Sequence, residues 1–213
     1  MSSLILHPAL ILIVGALLLP FLRGTARNIA VLSAPTFALI ALWLLPEGRL
    51  WQVQWLDYSL VPLAVDKLSR LFATIFLIMA AVGGLFALRQ QSKLEIPAAF
   101  LYAGSAVGVT LAGDLVTVFL FWEFMAVGST LVLWSAGTPG AWAASRRYVA
   151  VHLAGGVILF AGIAGQILAT GDAGFHAMKV DSVSTWLILI GFLINAGAPP
   201  LSAWLPDAYP EAS

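Results

Sequence analysis

The sequence predicts an all-α integral membrane protein, a bundle of about seven transmembrane helices whose seventh member is broken. Three observations carry this: composition, the recurrence of apolar runs long enough to span a bilayer, and the sign of the charges between them. Apolar residues fill 61% of the 213 positions and charged residues 9%, with a strongly positive mean hydropathy. A soluble globular domain has far more charge, so the solvent for this fold is lipid. No room is left for a soluble domain, and 1–213 is read as a single transmembrane domain.

A helix needs roughly 20 apolar residues to cross the hydrocarbon core. Such runs occur at 4–22, 29–46, 68–88, 96–113, 115–135, 147–169 and 184–205. The first lacks a basic leading region and a small-residue cleavage site, so it reads as a retained helix rather than a cleaved signal. The longest piece between spans, Gly48 to Pro62, carries Trp51, Trp55 and Tyr58, residues that favour the headgroup level, and is expected to lie along the outer interface. Pro139 and Gly140 mark a turn before the sixth span.

The charges between spans alternate. Arg23 and Arg27, Arg89 and Lys93, and Arg146 and Arg147 follow the odd spans. Glu47, Arg49 and Asp57, then Asp114, then Asp172, Lys179 and Asp181 follow the even ones. The positive-inside rule then puts the N-terminus outside, and adding or dropping a span would move Arg146 and Arg147 to the side of Asp114. A bacterial inner membrane is the expected location.

Several function classes are excluded or unsupported. Formal net charge is zero with scattered basic residues, so nothing favours nucleic acid. Cysteine is absent, which removes disulfides, thiolate metal sites and iron–sulfur ligation by cysteine. No phosphate loop, catalytic triad or metal-ligand spacing occurs, and no cofactor or metal is expected.

The residues that carry chemistry lie inside the spans. Glu123 falls near the middle of the fifth, where a carboxylate costs at least ~2.5 kcal/mol to insert and should face the bundle interior. Either it is a protonated packing residue or it relays protons or cations. In the seventh span Asn195, Gly197, Pro199 and Pro200 predict a break near mid-membrane, because proline removes a donor and clashes with the preceding turn. Irregular backbone at that depth lines a protein-filled or wet cavity, and transporters build ion paths there; a kink for packing alone is the plainer alternative. His152, in the sixth span, has an ordinary pKa of about 6.5 and could pass protons, or could simply bond across helices. His7 and His176 lie near a span end and in a loop, where solvation explains them. Asp66, Lys67, Ser69 and Arg70 read as an interfacial charge cluster.

Three segments together resemble one family, the antiporter-like membrane subunits shared by multisubunit cation/proton antiporters and respiratory complex I. They are Val65-Asp66-Lys67-Leu68-Ser69, then Gly113-Asp114-Leu115 through Phe121-Trp122-Glu123, and Phe192 to Gly197 followed by Pro200-Leu201-Ser202-Ala203-Trp204-Leu205-Pro206-Asp207-Ala208. Each is weak alone; their order and placement on spans three, five and seven make the set specific. The resemblance implies a fold of ~14 helices built from inverted repeats with broken helices. This chain would be the N-terminal half, a fragment or one half of a split subunit, lacking the next helix and its relay lysine. It also implies a proton- or sodium-translocating role, nearest the D-type antiporter subunit, with other membrane subunits and the lipid bilayer as partners. The homologous subunit of an NADH:quinone oxidoreductase or membrane hydrogenase is one alternative, and a non-transporting scaffold another. Two positions depart from the family pattern: lysine is usual where Asn195 stands, and histidine where Ser202 stands. Glu123 therefore carries over by motif, but its lysine partner does not.

Overall fold

A computed structural model describes residues 5–89 and 92–212; Leu4, the start of the first expected span, lies outside them. The helices are α1 (Pro8–Leu18), α2 (Gly24–Leu44), α3 (Lys67–Phe86), α4 (Glu95–Leu111), α5 (Leu115–Ser135), α6 (Pro139–Thr170), α7 (Val183–Asn195) and the short α8 (Trp204–Ala208). Four of them, α2, α3, α5 and α6, are long and apolar enough by themselves to cross a membrane, with 3₁₀ residues extending α3 to Arg89. Shorter apolar helices, α1 with its 3₁₀ extension to Phe21, α4 and α7, occupy the other three expected runs.

Starts and stops follow local chemistry. Thr138 caps α6 by accepting from the Ala141 N–H at 3.0 Å, with Pro139 at the first helical position. The helix therefore begins eight residues before the expected Arg147 and, at 1.5 Å per residue, extends well beyond a hydrocarbon core of ~30 Å. Asp66 and Ser69 form a reciprocal capping box on α3, the Ser69 N–H donating at 2.6 Å and the Ser69 hydroxyl oxygen accepting from Asp66 N–H at 2.8 Å. The Ser69 N–H holds the Asp66 carboxyl below its usual range. What the sequence offers as an interfacial charge cluster is, at these two residues, a helix start.

The stretch expected to lie along the interface is instead an antiparallel hairpin, β1 (Gly48–Trp55) and β2 (Tyr58–Val65). Trp51-Gln52-Val53-Gln54-Trp55 alternates apolar and polar with period two, which a strand needs. The inner face of β2 buries Leu63 and Val65 against α1–α4, and Leu60 against the cluster of α5, α6 and α7. The hairpin thus straddles both halves of the bundle.

Its attachment corrects two readings. His7, expected to be solvated, is 1% exposed. Its Nδ1 accepts from the Ala9 N–H at 3.2 Å, capping α1, and its Nε2 lies 3.0 Å from the Pro62 carbonyl. That pair of bonds needs the neutral ring with hydrogen on Nε2. Asp114, expected as a loop charge, is fully buried. One carboxylate oxygen accepts from Thr117 N–H at 2.8 Å; the other accepts from Thr117 hydroxyl and Val61 N–H, each at 2.7 Å. It caps α5 and ties β2 to it. The strand pairing of Asp114 with Gly174, and the Leu115 N–H to Ala173 carbonyl bond, bring the α6–α7 loop to the same end. At the opposite end Arg23, Arg27 and Lys93 line one pocket. Two of the basic loops thus meet at the end of the bundle away from the hairpin.

Candidate ion-translocation site

The site forms where α5, α6 and α7 meet. Glu123 lies about 12 Å along α5, eight steps of helical rise beyond Leu115. On α6, His152, Gly155 and Gly156 share one face, because residues three and four apart stack on a helix. The two glycines let neighbours approach: the Gly156 position abuts the Glu123 carboxylate, and a Cβ at Gly155 would lie 3.0 Å from Asn195 Nδ2. Any larger residue at either position would displace one of the two polar groups.

The α7 end follows from Gly197. Its φ of +64° is the left-handed conformation that glycine adopts freely. The Gly197 N–H donates to Ile194 carbonyl at 3.1 Å and the Ala198 N–H to Leu193 carbonyl at 3.0 Å. These two bonds make a Schellman stop. The expected break is present, but glycine terminates the helix, and Pro199 and Pro200 only prevent its resumption. The expected span 184–205 is thus helical to Asn195, irregular to Ala203, and helical again in α8. Among the described residues no N–H donates to the carbonyls of Asn195, Ala196 or Gly197.

Two cavities flank His152. One of about 180 Å³ is lined by Glu123, Thr130, Val149 and His152 among others. The other, about 300 Å³, is lined by Tyr102, Trp122, Tyr148, His152, Asn195 and Trp204 among others. His152 separates them, its ring 4.0 Å from that of Tyr148 and 4.7 Å from that of Trp204. Gly197, Pro199 and Pro200 line neither cavity.

Polar satisfaction is incomplete here. Asn195 Nδ2 donates to the Gly191 carbonyl of its own helix at 3.0 Å, but its Oδ1 is buried without a partner. Both ring nitrogens of His152 are buried with no partner at full hydrogen-bonding geometry, although its side chain faces that of Asn195. Glu123 has no hydrogen-bond partner or cation among the described residues. Buried polar groups are rarely left so, and their coincidence in one place suits water or a mobile ion.

Sequence reasoning missed the groups that hold α8 against this site. Arg147 donates from Nε and Nη2 to the two oxygens of Asp207, at 2.7 and 2.6 Å, a forked pair bridging sixty positions. Trp204 Nε1 donates to Ile194 carbonyl at 3.1 Å. Tyr148 and Ser129 hydroxyls lie 2.6 Å apart, joining α6 to α5. No spacing rule links such distant positions, although Arg147 and Asp207 each stand out as charges beside apolar runs.

A bundle of apolar helices with a half-buried carboxylate on one of them and a broken neighbour defines the class, a multi-pass membrane protein. Residues 112–213 match the family described as NADH:quinone oxidoreductase/Mrp antiporter, transmembrane. The D-type subunit of the Na⁺/H⁺ antiporter of Alkalihalophilus pseudofirmus is 25% identical over 98% of this chain and 47% of its own length. A chain of an archaeal membrane-bound sulfane sulfur reductase superposes with a TM-score of 0.83 at 19% identity, over 96% of this chain and 47% of that one. A chain of the Mrp complex from Dietzia sp. gives 0.81 at 24% identity, over 97% and 25%. The chain is thus similar to the antiporter-like membrane subunits of multisubunit cation/proton antiporters and NADH:quinone oxidoreductases. It spans about half the length of that antiporter relative.

Proposed function

We propose that this chain is the N-terminal half of a proton- and monovalent-cation-translocating membrane subunit of a multisubunit cation/proton antiporter, nearest the D-type. The observation that carries the reading is the convergence on one turn of α6 of the Glu123 carboxylate, the Asn195 amide and His152, at the level where α7 stops. A carboxylate in a span is expensive unless it works, and a helix end at that depth supplies carbonyls and a path for water. Glu123 holds the transferred proton, exchanging it through water reached from the end of α7 or by way of His152. Asn195, where the family has lysine, cannot titrate and serves as a hydrogen-bonding wall. Gly197, Pro199 and Pro200 shape the break rather than contact the ion. The partners are further membrane subunits, the ions are protons and sodium, and the setting is a bacterial cell membrane with the N-terminus outside.

A second reading is supported by the family description, which spans both classes: the same relay driven by electron transfer in an NADH:quinone oxidoreductase. One experiment separates them. The assembled complex is reconstituted in vesicles, and proton movement is followed after a sodium gradient or after NADH with quinone. A response to sodium alone supports the antiporter; a response to electron transfer alone transfers the relay to the redox complex; no response to either removes the translocation reading.

A further inference from the structure

The two cavities beside the site share a wall. Among the described residues, Ala126 and His152 line both of them, while Glu123 lines the smaller and Asn195, at the end of α7, the larger. Ala126 offers a proton no way through. Its side chain is a methyl, and its carbonyl already accepts from the Ser129 and Thr130 hydroxyls at 3.0 and 2.8 Å. His152 is the part of the wall that can act, because an imidazole takes a proton on one ring nitrogen and releases one from the other.

A buried histidine is ordinarily oriented by a hydrogen bond at one nitrogen. Neither nitrogen of His152 has one at full geometry, and rings hold it instead. Tyr148, four positions earlier on the same face of α6, lies over it at 4.0 Å and 31°. Trp204 meets it edge-on at 4.7 Å and 71°. Trp204 also meets Tyr148 edge-on at 5.3 Å, an arrangement that ring quadrupoles favour, so the three rings form one cluster. The two holding rings are each anchored: the Tyr148 hydroxyl lies 2.6 Å from that of Ser129, and Trp204 Nε1 donates to the Ile194 carbonyl at 3.1 Å. Tyr148 travels with α6, and therefore with His152. Trp204 belongs to another element, since it opens α8 beyond the break in α7, where Arg147 and Asp207 fasten that helix to α6.

We infer that Trp204 is a positioning residue of the proton path, holding the His152 ring across the wall between the Glu123 cavity and the Asn195 cavity. The inference rests on the reading of Glu123 as the proton carrier and selects the route by way of His152. In the step, Glu123 gives its proton through water to one nitrogen of the neutral ring and is left a carboxylate, while the other nitrogen gives up its own proton to water in the larger cavity. His152 ends neutral in the opposite tautomer, and a turn of the ring resets it. The ring must be kept in place yet remain able to turn. Contacts between rings allow both, whereas a hydrogen bond at either nitrogen would hinder the turn.

The test is a double-mutant cycle on proton uptake by the assembled complex in vesicles, driven by sodium or by NADH with quinone, whichever drives the parent, at equal incorporation. Trp204→Leu, in which Arg147 and Asp207 still fasten α8, should slow uptake about tenfold or more, the scale of a misplaced reacting group. Trp204→Phe, which restores a ring against His152 without the Nε1 donor, should stay within about threefold of the parent. His152→Gln should slow uptake at least as much as Trp204→Leu, and the two together should do no worse than His152→Gln alone, because Trp204 acts through that ring. Four results overturn the positioning role: parental uptake in Trp204→Leu, parental uptake in His152→Gln, equal losses in the Leu and Phe variants, or a double variant slowed by the further full Trp204→Leu factor. Glu123→Gln measured alongside keeps two failures apart. Slowed uptake there with parental uptake in Trp204→Leu removes this inference alone, whereas parental uptake in Glu123→Gln removes the reading beneath it.

Discussion

Asp114 and Glu123 stand on the same helix in opposite circumstances, and the contrast separates an acid that holds the fold from the acid proposed to carry a proton. Asp114 is fully enclosed and its two oxygens receive three donors. An amide in its place must turn an NH₂ toward at least one of those donors, leaving a buried pair unmade. Asp114→Asn should therefore lower stability by about 1–3 kcal/mol, read as a reduced melting temperature in detergent. Glu123 receives no donor from the described residues, so Glu123→Gln should leave that stability within ~0.5 kcal/mol of the parent. In sequence the two acids differ by depth alone, which singles out Glu123 as the candidate but mistakes Asp114 for a loop charge. His7 fails in the same way: the hairpin that buries both returns from fifty residues away, and no local pattern reports it.

The break in α7 rests on one glycine. A side chain at Gly197 must take φ of +64°, and its Cβ would stand 2.7 Å from Leu205 Cδ1. Gly197→Ala should cost about 1 kcal/mol or more and loosen α8, detectable as faster amide exchange at Trp204 and Leu205. Pro199→Ala should do much less, since the Schellman bonds involve neither proline. The break itself is legible in sequence, because glycine and paired prolines in an apolar run admit few other readings. Its mechanism is not, since prolines announce themselves in a sequence while a left-handed glycine does not. The hairpin is also within reach: the alternation of tryptophan, valine and glutamine is there, but the affinity of tryptophan for headgroups competes with it.

Across the whole molecule the seven apolar helices agree with the sequence, and two of the basic loops meet at one end. Hydropathy and charge sign act over entire spans, so they survive errors of a few residues at every boundary. The side of the membrane follows from the positive-inside rule, and the absence of native cysteine makes it simple to test. A single cysteine at Asp57, exposed on the hairpin turn, should react with an impermeant maleimide added to intact cells. One at Lys93 should react only after permeabilisation. The reverse pattern would invert the topology.

The central claim is that Glu123 carries the proton that this bundle moves. The direct measurement is sodium-driven proton uptake in vesicles containing the assembled complex, with Glu123→Gln compared with the parent at equal incorporation. Glutamine keeps the size and polarity of the side chain and removes its titration. The account predicts a loss of at least about 100-fold in the initial rate with assembly and melting temperature unchanged, in line with the scale of a removed acid–base group. Uptake at the parental rate in the glutamine variant would contradict it.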